Sequence, residues 1–121
     1  MDASTWVGQP LAALDTPFLY VDLDCMERNI DKMAQLILQQ AKVGWRPHTK
    51  AMKTPVLAQK LLAAGAHGIT CHLRKDRRHV QDADIHRLRE AVTTLLNLEC
   101  SLDESMLAIA EKSGSLKGAP E

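Results

Sequence analysis

"TPVLAQKLLAAGAHGITC", residues 54–71, is the stretch from which the fold follows. Thr54 is a residue type that caps helix N-termini, and Pro55 suits the first helical position because no backbone N–H is needed there. Gly65 is typical of a helix end. The apolar run from Gly68 to Cys71 predicts a strand. The stretch therefore predicts a helix that begins at Pro55 and ends before Gly65, followed by a short strand.

The residues before this stretch repeat the same alternation. The apolar run "FLYVDL" (18–23) predicts a first strand. After Asp24, a suitable N-cap, apolar residues recur at helical spacing and predict an amphipathic helix over 26–40. Gly44 ends that helix, and the segment 45–50 is short enough to be a second strand. Strand, helix, strand, helix and strand with short loops are typical of a parallel α/β fold.

The segment "WRPHTKAMK" (45–53) concentrates positive charge and is the first candidate site. In a strand, Arg46, His48 and Lys50 point to one face, at the end where parallel α/β folds place their chemistry. A lysine that is partly desolvated beside other cations is favoured as the neutral amine that forms a Schiff base. The alternative is a set of solvated charges at a strand end, and Pro47 argues against a central strand.

Composition limits the classes of function. The chain has 121 residues, 45% hydrophobic and 25% charged, with 15 basic and 15 acidic side chains, which predicts one small globular domain. This charge balance argues against nucleic acid or an anionic membrane as the main partner. The N-terminus has neither a leader pattern nor a membrane-spanning pattern, and three cysteines without a CxxC pair suit a reducing compartment. We therefore expect a cytoplasmic protein.

The sequences LDTPFLYVDLDCMERNIDKMAQL and WRPHTKAMKTPVLAQKLLAAGAHGITC resemble the N-terminal part of the D-threonine aldolase and D-serine dehydratase family. The likeness covers residues 14–71 and rests on the order of strand, R-P-H-x-K core, helix and strand. It implies an incomplete (β/α)8 barrel of the alanine-racemase type. It also implies a lyase or aldolase that acts on a D-amino acid of the threonine or serine type with pyridoxal 5′-phosphate as cofactor.

The resemblance also assigns residues. The family's cofactor lysine maps onto Lys50 as an internal aldimine, His48 and Arg46 become further cofactor contacts, and Lys53 supplies a supporting positive charge. Full-length members use a divalent metal, whose ligands are expected in a C-terminal domain outside this chain. No metal ligand is therefore assigned here.

The rest of the chain is predicted to differ from that family. We divide the chain at residue 71, with a barrel segment over 1–71 and a divergent, mostly helical tail over 72–121. An internal deletion, a truncated reading frame, a skipped exon and a frameshift all remain open as its origin. The charged run after Cys71 reads as a solvated basic helix, with RKDRR (74–78) as a solvated face. Ser101 and Glu104 form a capping-box pattern before a structural helix that Gly114 ends.

Three histidines in this tail, spaced by seven residues, raise the question of a metal site: His72, His79 and His86. On one continuous helix, ligands seven residues apart stand roughly 10 Å from each other. This is too far for a single zinc ion with Zn–N bonds of about 2 Å. A solvated helix face is the better interpretation.

Two classes of function stay open from the sequence. One is a pyridoxal-phosphate lyase in which Lys50 carries the cofactor, with at most weak cofactor binding and negligible turnover by this chain alone. The other is a non-catalytic α/β fragment or interaction module. Residues 18–71 are expected to form two or three largely parallel strands with uncovered edges, which predicts low stability or self-association, including a possible homo-oligomer.

Overall fold

The structure is a computed structural model that describes residues 3–49 and 54–114. Two short 3-10 turns, Ala3–Trp6 and Leu11–Ala13, precede the regular elements. In chain order these are α1 (Leu23–Ala34), α2 (Pro55–Ala63), β1 (Gly68–Leu73), α3 (Asp82–Ala91), β2 (Leu95–Cys100) and α4 (Glu104–Lys112). A π-helical turn, Gln35–Gln40, continues α1. The order of elements from α2 onward is an alternation of helices and strands, as parallel α/β folds require.

The sheet is parallel and centres on β1. β1 pairs with β2 in the register Gly68↔Leu95 through Leu73↔Cys100. Gly68 is required for this approach, because a Cβ there would lie 2.6 Å from the Leu95 carbonyl oxygen. On the other side of β1, the extended segment 45–49 also runs parallel, with a single bridge between His48 and Thr70. β1 is therefore the middle of three parallel segments.

One face of this sheet is covered by helices. α2 and α3 pack on β1, and α4 packs on β2. Alternate strand residues Ile69, Cys71 and Leu73 are fully buried there. The helices contribute Ala58, Leu61, Ile85, Leu88 and Met106 to the same core, and the remaining buried members come from β2 and the connecting segments: Trp45, Ala66, Val80, Val92 and Leu96. The alternate apolar residues of β1 therefore pack against the helically spaced apolar residues of α2, α3 and α4 in one layer.

Several predicted elements are confirmed. α2 begins at Pro55 after the N-cap Thr54, and Gly65 follows its end with φ +102. β1 includes the predicted strand and extends to Leu73. Helical conformation also runs to Gln40 as predicted, but α1 begins at Leu23 because Asp22, not Asp24, accepts the capping hydrogen bond from the Cys25 N–H at 2.8 Å.

The first predicted strand is wrong. Residues 18–22 have no regular structure, and the side chains of Leu19, Tyr20 and Val21 are exposed. β-Propensity reflects a side chain's fit to a paired, half-buried surface, and within the described residues no strand pairs with this run. The second predicted strand, 45–50, is reduced to the extended segment 45–49 with its one bridge, and Lys50 lies outside the described residues.

The tail differs from its prediction in detail. The expected basic helix is replaced by the end of β1, a loop over 74–81 and α3. Asp103, not Ser101, is the N-cap of α4, since its carboxylate accepts from the Met106 N–H. Gly114 follows the end of α4 with φ +64, as expected for a helix stop. The division at residue 71 stays a prediction, as does self-association.

Among the described helices, none combines the length and the apolar character that crossing a membrane requires.

The packing predicts which substitutions destabilise the chain. Ile85→Ala should lower the free energy of unfolding by about 2 to 5 kcal/mol, because Ile85 is fully buried and its truncation leaves a cavity. Val56→Ala is the matched control on α2, since Val56 is 60% exposed. Urea unfolding followed by circular dichroism measures both. Equal unfolding midpoints for the two variants would contradict the assignment of the core.

Candidate active site at the carboxyl edge of the sheet

Three polar side chains lie at the edge where the parallel segments end. His48 is in the segment 45–49, His72 is the fifth residue of β1, and Glu99 is the fifth residue of β2. His72 and Glu99 are register partners, so they are direct neighbours across the two strands. The carboxyl edge of a parallel sheet is where α/β enzymes carry their reactive groups. This edge is therefore the candidate site.

The segment 45–49 is aligned by its backbone and by two buried side chains. Thr49 donates its N–H to the Thr70 carbonyl at 2.8 Å, and Thr70 donates to the Pro47 carbonyl at 2.9 Å. Trp45 is buried, and its carbonyl accepts from the His67 N–H at 2.8 Å. Pro47 is tolerated because the described sheet ends with this segment, where no ladder donor is needed. With Trp45 and Thr49 buried, the alternate residue His48 lies on the opposite face.

His48 contacts Glu99 across the central strand. The Nε2 atom of His48 lies 3.2 Å from the Oε2 atom of Glu99. An ionised carboxylate only accepts hydrogen bonds, so a charged Glu99 requires the His48 tautomer that donates from Nε2. The two side chains are 30% and 51% exposed, so the pair is accessible to solvent and to a ligand. Below them, the Asn97 amide donates to the Thr70 hydroxyl at 3.5 Å.

The sheet separates polar from apolar chemistry. Thr70, His72, Asn97 and Glu99 share one face by strand alternation, and Cys71 lies on the other. Burial raises the pKa of the Cys71 thiol to about 12, helped by the negative charge of Glu99. A thiol with that pKa is protonated at neutral pH, so Cys71 is no nucleophile. The titratable side chains at the carboxyl end of the polar face are the imidazoles of His48 and His72 and the carboxylate of Glu99.

A basic loop follows β1 directly at this edge. It contains Arg74, Lys75, Arg77 and Arg78 against the single acid Asp76. Arg74 follows β1 directly, two residues after His72. The backbone N–H of Arg78 donates to Asp76 at 3.1 Å and lowers the pKa of that carboxyl. The loop therefore presents a net positive surface beside the polar face.

The shape of this loop is held by its own residues. Arg77 has φ +52, a left-handed conformation that is uncommon outside glycine. Its guanidinium donates through Nε to Asp82 at 2.6 Å, and its carbonyl accepts from the Gln81 side chain. The carboxylate of Asp84 accepts the Gln81 backbone N–H at 2.9 Å at the start of α3. The loop is thus tied to the first turn of the helix that follows it.

The loop after β2 lies beside the basic loop. The Lys75 ammonium lies 3.9 Å from the Asp103 carboxylate. Asp103 also accepts hydrogen bonds from the Ser105 hydroxyl at 2.7 Å and the Ser101 hydroxyl at 2.8 Å. These hydrogen bonds, with the Met106 N–H and the Lys75 charge, lower the pKa of Asp103 to about 2. The two loops that frame the site are therefore in contact.

The histidine stripe does not form. His72 lies on β1, His79 in the basic loop and His86 on α3, so they do not share one helix. Within residues 3–49 and 54–114, no three metal-ligating side chains are grouped closely enough to hold a metal ion. An apolar groove of about 440 Å³ lies elsewhere, between α1 and α2, and includes Tyr20, Met26, Met33, Leu57 and Leu61. Its lining also includes Asp22, Cys25 and Asn29 but is mainly apolar, whereas the carboxyl edge brings two imidazoles and a carboxylate together.

The fold and this edge define a parallel α/β protein with acid–base groups and a basic loop at the ends of its strands. The model of the family described as pyridoxal phosphate biosynthesis protein PdxJ matches residues 26–116. The pyridoxine 5′-phosphate synthase of Chlorobium phaeobacteroides is 60% identical over 83 residues, which are 68% of this chain and 32% of that protein. That of Citrifermentans bemidjiense is 48% identical over 83 residues, 68% and 31% of the two chains.

The chain belongs to the PdxJ family. It spans about a third of the length of the curated relatives that it matches. A solved D-threonine aldolase from Filomicrobium marinum is also similar, at 24% identity and a TM-score of 0.49, over 86% of this chain and 32% of that one.

The family finding corrects the assignment made from residues 14–71. The match extends through the segment after Cys71 that was expected to diverge, and the relatives are named as synthases of pyridoxine 5′-phosphate. The prediction of a D-amino-acid lyase or aldolase is therefore wrong, and so is pyridoxal 5′-phosphate as its cofactor. The resemblance rested on the order of strand, R-P-H-x-K core, helix and strand, and an order of helix and strand signals is shared by many βα units with different functions.

The structure places two of the three residues predicted for the site. His48 lies at the carboxyl edge, whereas Arg46 precedes it and is exposed. Lys50 lies outside the described residues, as does Lys53. The sequence interpretation missed Glu99, treated Arg74 as part of a solvated face, and considered His72 only as a metal ligand or as part of a solvated helix face. The alternation of apolar and polar residues in LLNLEC (95–100) was the signal that could have placed Glu99 on a strand.

Asp103 predicts a loss of stability in acid. Its folded pKa of about 2 lies below the ordinary 3.8, so its contribution to stability is present above pH 4 and is lost as the pH falls through about 2. Asp103→Asn keeps an oxygen acceptor for the helix cap but cannot take up a proton. Thermal unfolding between pH 5 and pH 2 should show a shallower decline for this variant than for the unmodified chain. Parallel declines would contradict the assignment.

Proposed function

We propose that this chain provides an acid–base edge and a phosphate-binding loop to a pyridoxine 5′-phosphate synthase. The observation that carries the proposal is the register pairing of His72 with Glu99 at the carboxyl edge, directly before the basic loop. The names of the relatives supply the product, which is a phosphorylated pyridine.

The sheet in this proposal is part of a (β/α)8 barrel. In such a barrel the helices lie outside, and polar groups gather at the carboxyl ends of the strands. The described residues support this arrangement, because α2, α3 and α4 cover a single face of the sheet. The opposite face bears Thr70, His72, Asn97 and Glu99 and would face the barrel interior. The site would be completed by groups from the other barrel strands.

His72 and Glu99 would transfer protons during ring formation. Making an aromatic pyridine from non-aromatic precursors requires protons to leave carbon and hydroxyl groups to leave as water. Imidazole and carboxylate side chains are the usual general acids and bases for such steps. As register neighbours on one face, His72 and Glu99 can serve the same ligand. Neither function requires a cofactor carried by a lysine.

Arg74 would bind the phosphate group. A guanidinium matches a phosphate with two parallel N–H donors, and Arg74 is the cation of the loop nearest in sequence to His72. Its present partner is Asp76, at 3.3 Å and largely in the open, which is a weak pair that a phosphate can replace. The phosphate would then lie beside the imidazole, with the pyridine ring over the strands.

Binding of the product tests this assignment. The chain should bind pyridoxine 5′-phosphate more tightly than pyridoxine, because only the former carries the phosphate that Arg74 contacts. Arg74→Ala should weaken binding of the phosphorylated compound by roughly 10-fold or more, the loss expected for a charge-assisted hydrogen bond. Titration followed by the ultraviolet absorbance of the ring or by calorimetry measures both affinities.

Arg78→Ala is the matched control, since it removes a cation from the same loop whose side chain is 67% exposed. It should leave the preference for the phosphorylated compound intact. Equal affinities for the two compounds in the unmodified chain, or no binding of either, would overturn the proposed function.

A further inference from the structure

We propose that His48 is a positioning residue that holds the Glu99 carboxylate over β1, on the same side as His72. This inference rests on the proposed function, in which Glu99 is a proton-transfer group. The observation behind it is the 3.2 Å contact between His48 Nε2 and Glu99 Oε2. The two residues are 51 positions apart in the chain. They share one face of the sheet but lie on the two segments that flank β1.

The geometry of the sheet explains why the contact must cross β1. His48 is bridged to Thr70, and Thr70 is the register partner of Asn97. Glu99 lies two residues after Asn97, so it faces the same way but one step nearer the carboxyl edge. His48 and Glu99 therefore meet only if both side chains reach over the central strand. The carboxylate is then drawn toward β1, which carries His72.

Without the contact to His48, the Glu99 side chain would not be confined to one rotamer. The Glu99 side chain is 51% exposed at the edge of the described sheet and has several rotatable bonds. A proton-transfer group is effective only when it is held within hydrogen-bond reach of the atom that gains or loses the proton. An N–H donor at a fixed place on the neighbouring segment selects the useful rotamer.

The supporting residues make His48 a suitable anchor. Buried Thr49 follows it, with two hydrogen bonds to the Thr70 carbonyl at 2.8 and 3.2 Å. Buried Trp45 fixes the start of the segment through hydrogen bonds with His67 in both directions. Pro47, directly before His48, further restricts the backbone. The imidazole therefore projects from a segment whose backbone position is defined on both sides.

The pair itself contributes little to folding. Both side chains are partly open to solvent, and exposed ion pairs stabilise proteins only weakly. A positioning role and a purely structural role therefore predict different results. His48→Ala should leave the unfolding midpoint unchanged while altering the placement of the carboxylate and the binding of a ligand beside it.

The placement is tested by NMR of the histidine rings. In the unmodified chain, long-range nitrogen–proton spectra should show His48 protonated at Nε2, and Glu99→Gln should shift its ring signals. His86, exposed on α3, is the internal reference whose signals should stay in place. Ring signals of His48 that do not respond to Glu99→Gln would overturn the positioning role alone, whatever the binding results.

The contribution of the contact between His48 and Glu99 to ligand binding is tested by the affinity for pyridoxine 5′-phosphate. His48→Ala should weaken binding by about 3- to 10-fold, whereas Glu99→Ala with or without His48→Ala should give one and the same affinity, as expected for coupled residues. His48→Gln, which can place an N–H where Nε2 was, should restore binding to within about twofold. His86→Ala should have no effect.

The outcomes separate the two hypotheses. No binding by the unmodified chain would overturn the proposed function and, with it, the role of His48 in that function, while the ring signals would still report the contact. Binding that His48→Ala leaves unchanged would overturn the positioning role and keep the proposed function. A lowered unfolding midpoint for His48→Ala would show a structural role instead and would also overturn it.

Discussion

Parallel pairing on both sides of β1 is the constraint on which the rest of the structure depends. Backbone hydrogen bonds join Thr70 to Pro47 and Thr49 on one side, and a six-residue ladder joins β1 to β2 on the other. Parallel segments in register end at the same edge, so residues far apart in the chain arrive together. The ladder in turn depends on Gly68, where any side chain would collide with the Leu95 carbonyl. The arrangement of side chains at the carboxyl edge therefore depends on the absence of a side chain at position 68.

The strand also gives the sheet its two chemical environments. Ile69 and Leu73 are removed from water under α2 and α3, and each fully buried aliphatic side chain stabilises the fold by about 1.5 to 3 kcal/mol. The residues between them point the other way and need not be apolar. Cys71 and His72 are neighbours in sequence, yet one is a thiol with a pKa raised by burial and the other is a partly exposed imidazole. Folding stability and chemistry are therefore carried by alternate residues of one strand.

Elements whose positions are marked by local sequence signals were predicted correctly. α2 followed from Thr54, Pro55 and Gly65, whose roles depend only on neighbouring backbone atoms, and β1 followed from the apolar run that begins at Gly68. The run 18–23 failed because strand formation depends on a partner, and propensity carries no information about one. The basic run after Cys71 failed for a related reason. Its charges look like a solvated helix face, but Asp76, Asp82 and Asp84 fold it into a loop through local hydrogen bonds.

The candidate site was less predictable than the fold, because it depends on register. The alternation of side chains along the segment 45–50 was enough to place His48 on one face with Arg46. This placement agrees with the burial of Trp45 and Thr49 on the other face. The pairing of His72 with Glu99 could not follow from spacing, since the 26 residues between them contain a loop and a helix of undetermined path.

The same limitation explains how a likeness in one βα unit led to the wrong family. A capped helix, a glycine stop and a short apolar strand describe a scaffold that unrelated chemistries share. In such a scaffold the reaction is specified by the residues at and just beyond each strand's carboxyl end. In the proposed site these are the imidazole of His72, the basic loop and the carboxylate of Glu99, all after residue 71. The prediction from the segment 45–53 before α2 therefore rested on features of the scaffold and did not include the residues proposed here to determine the reaction.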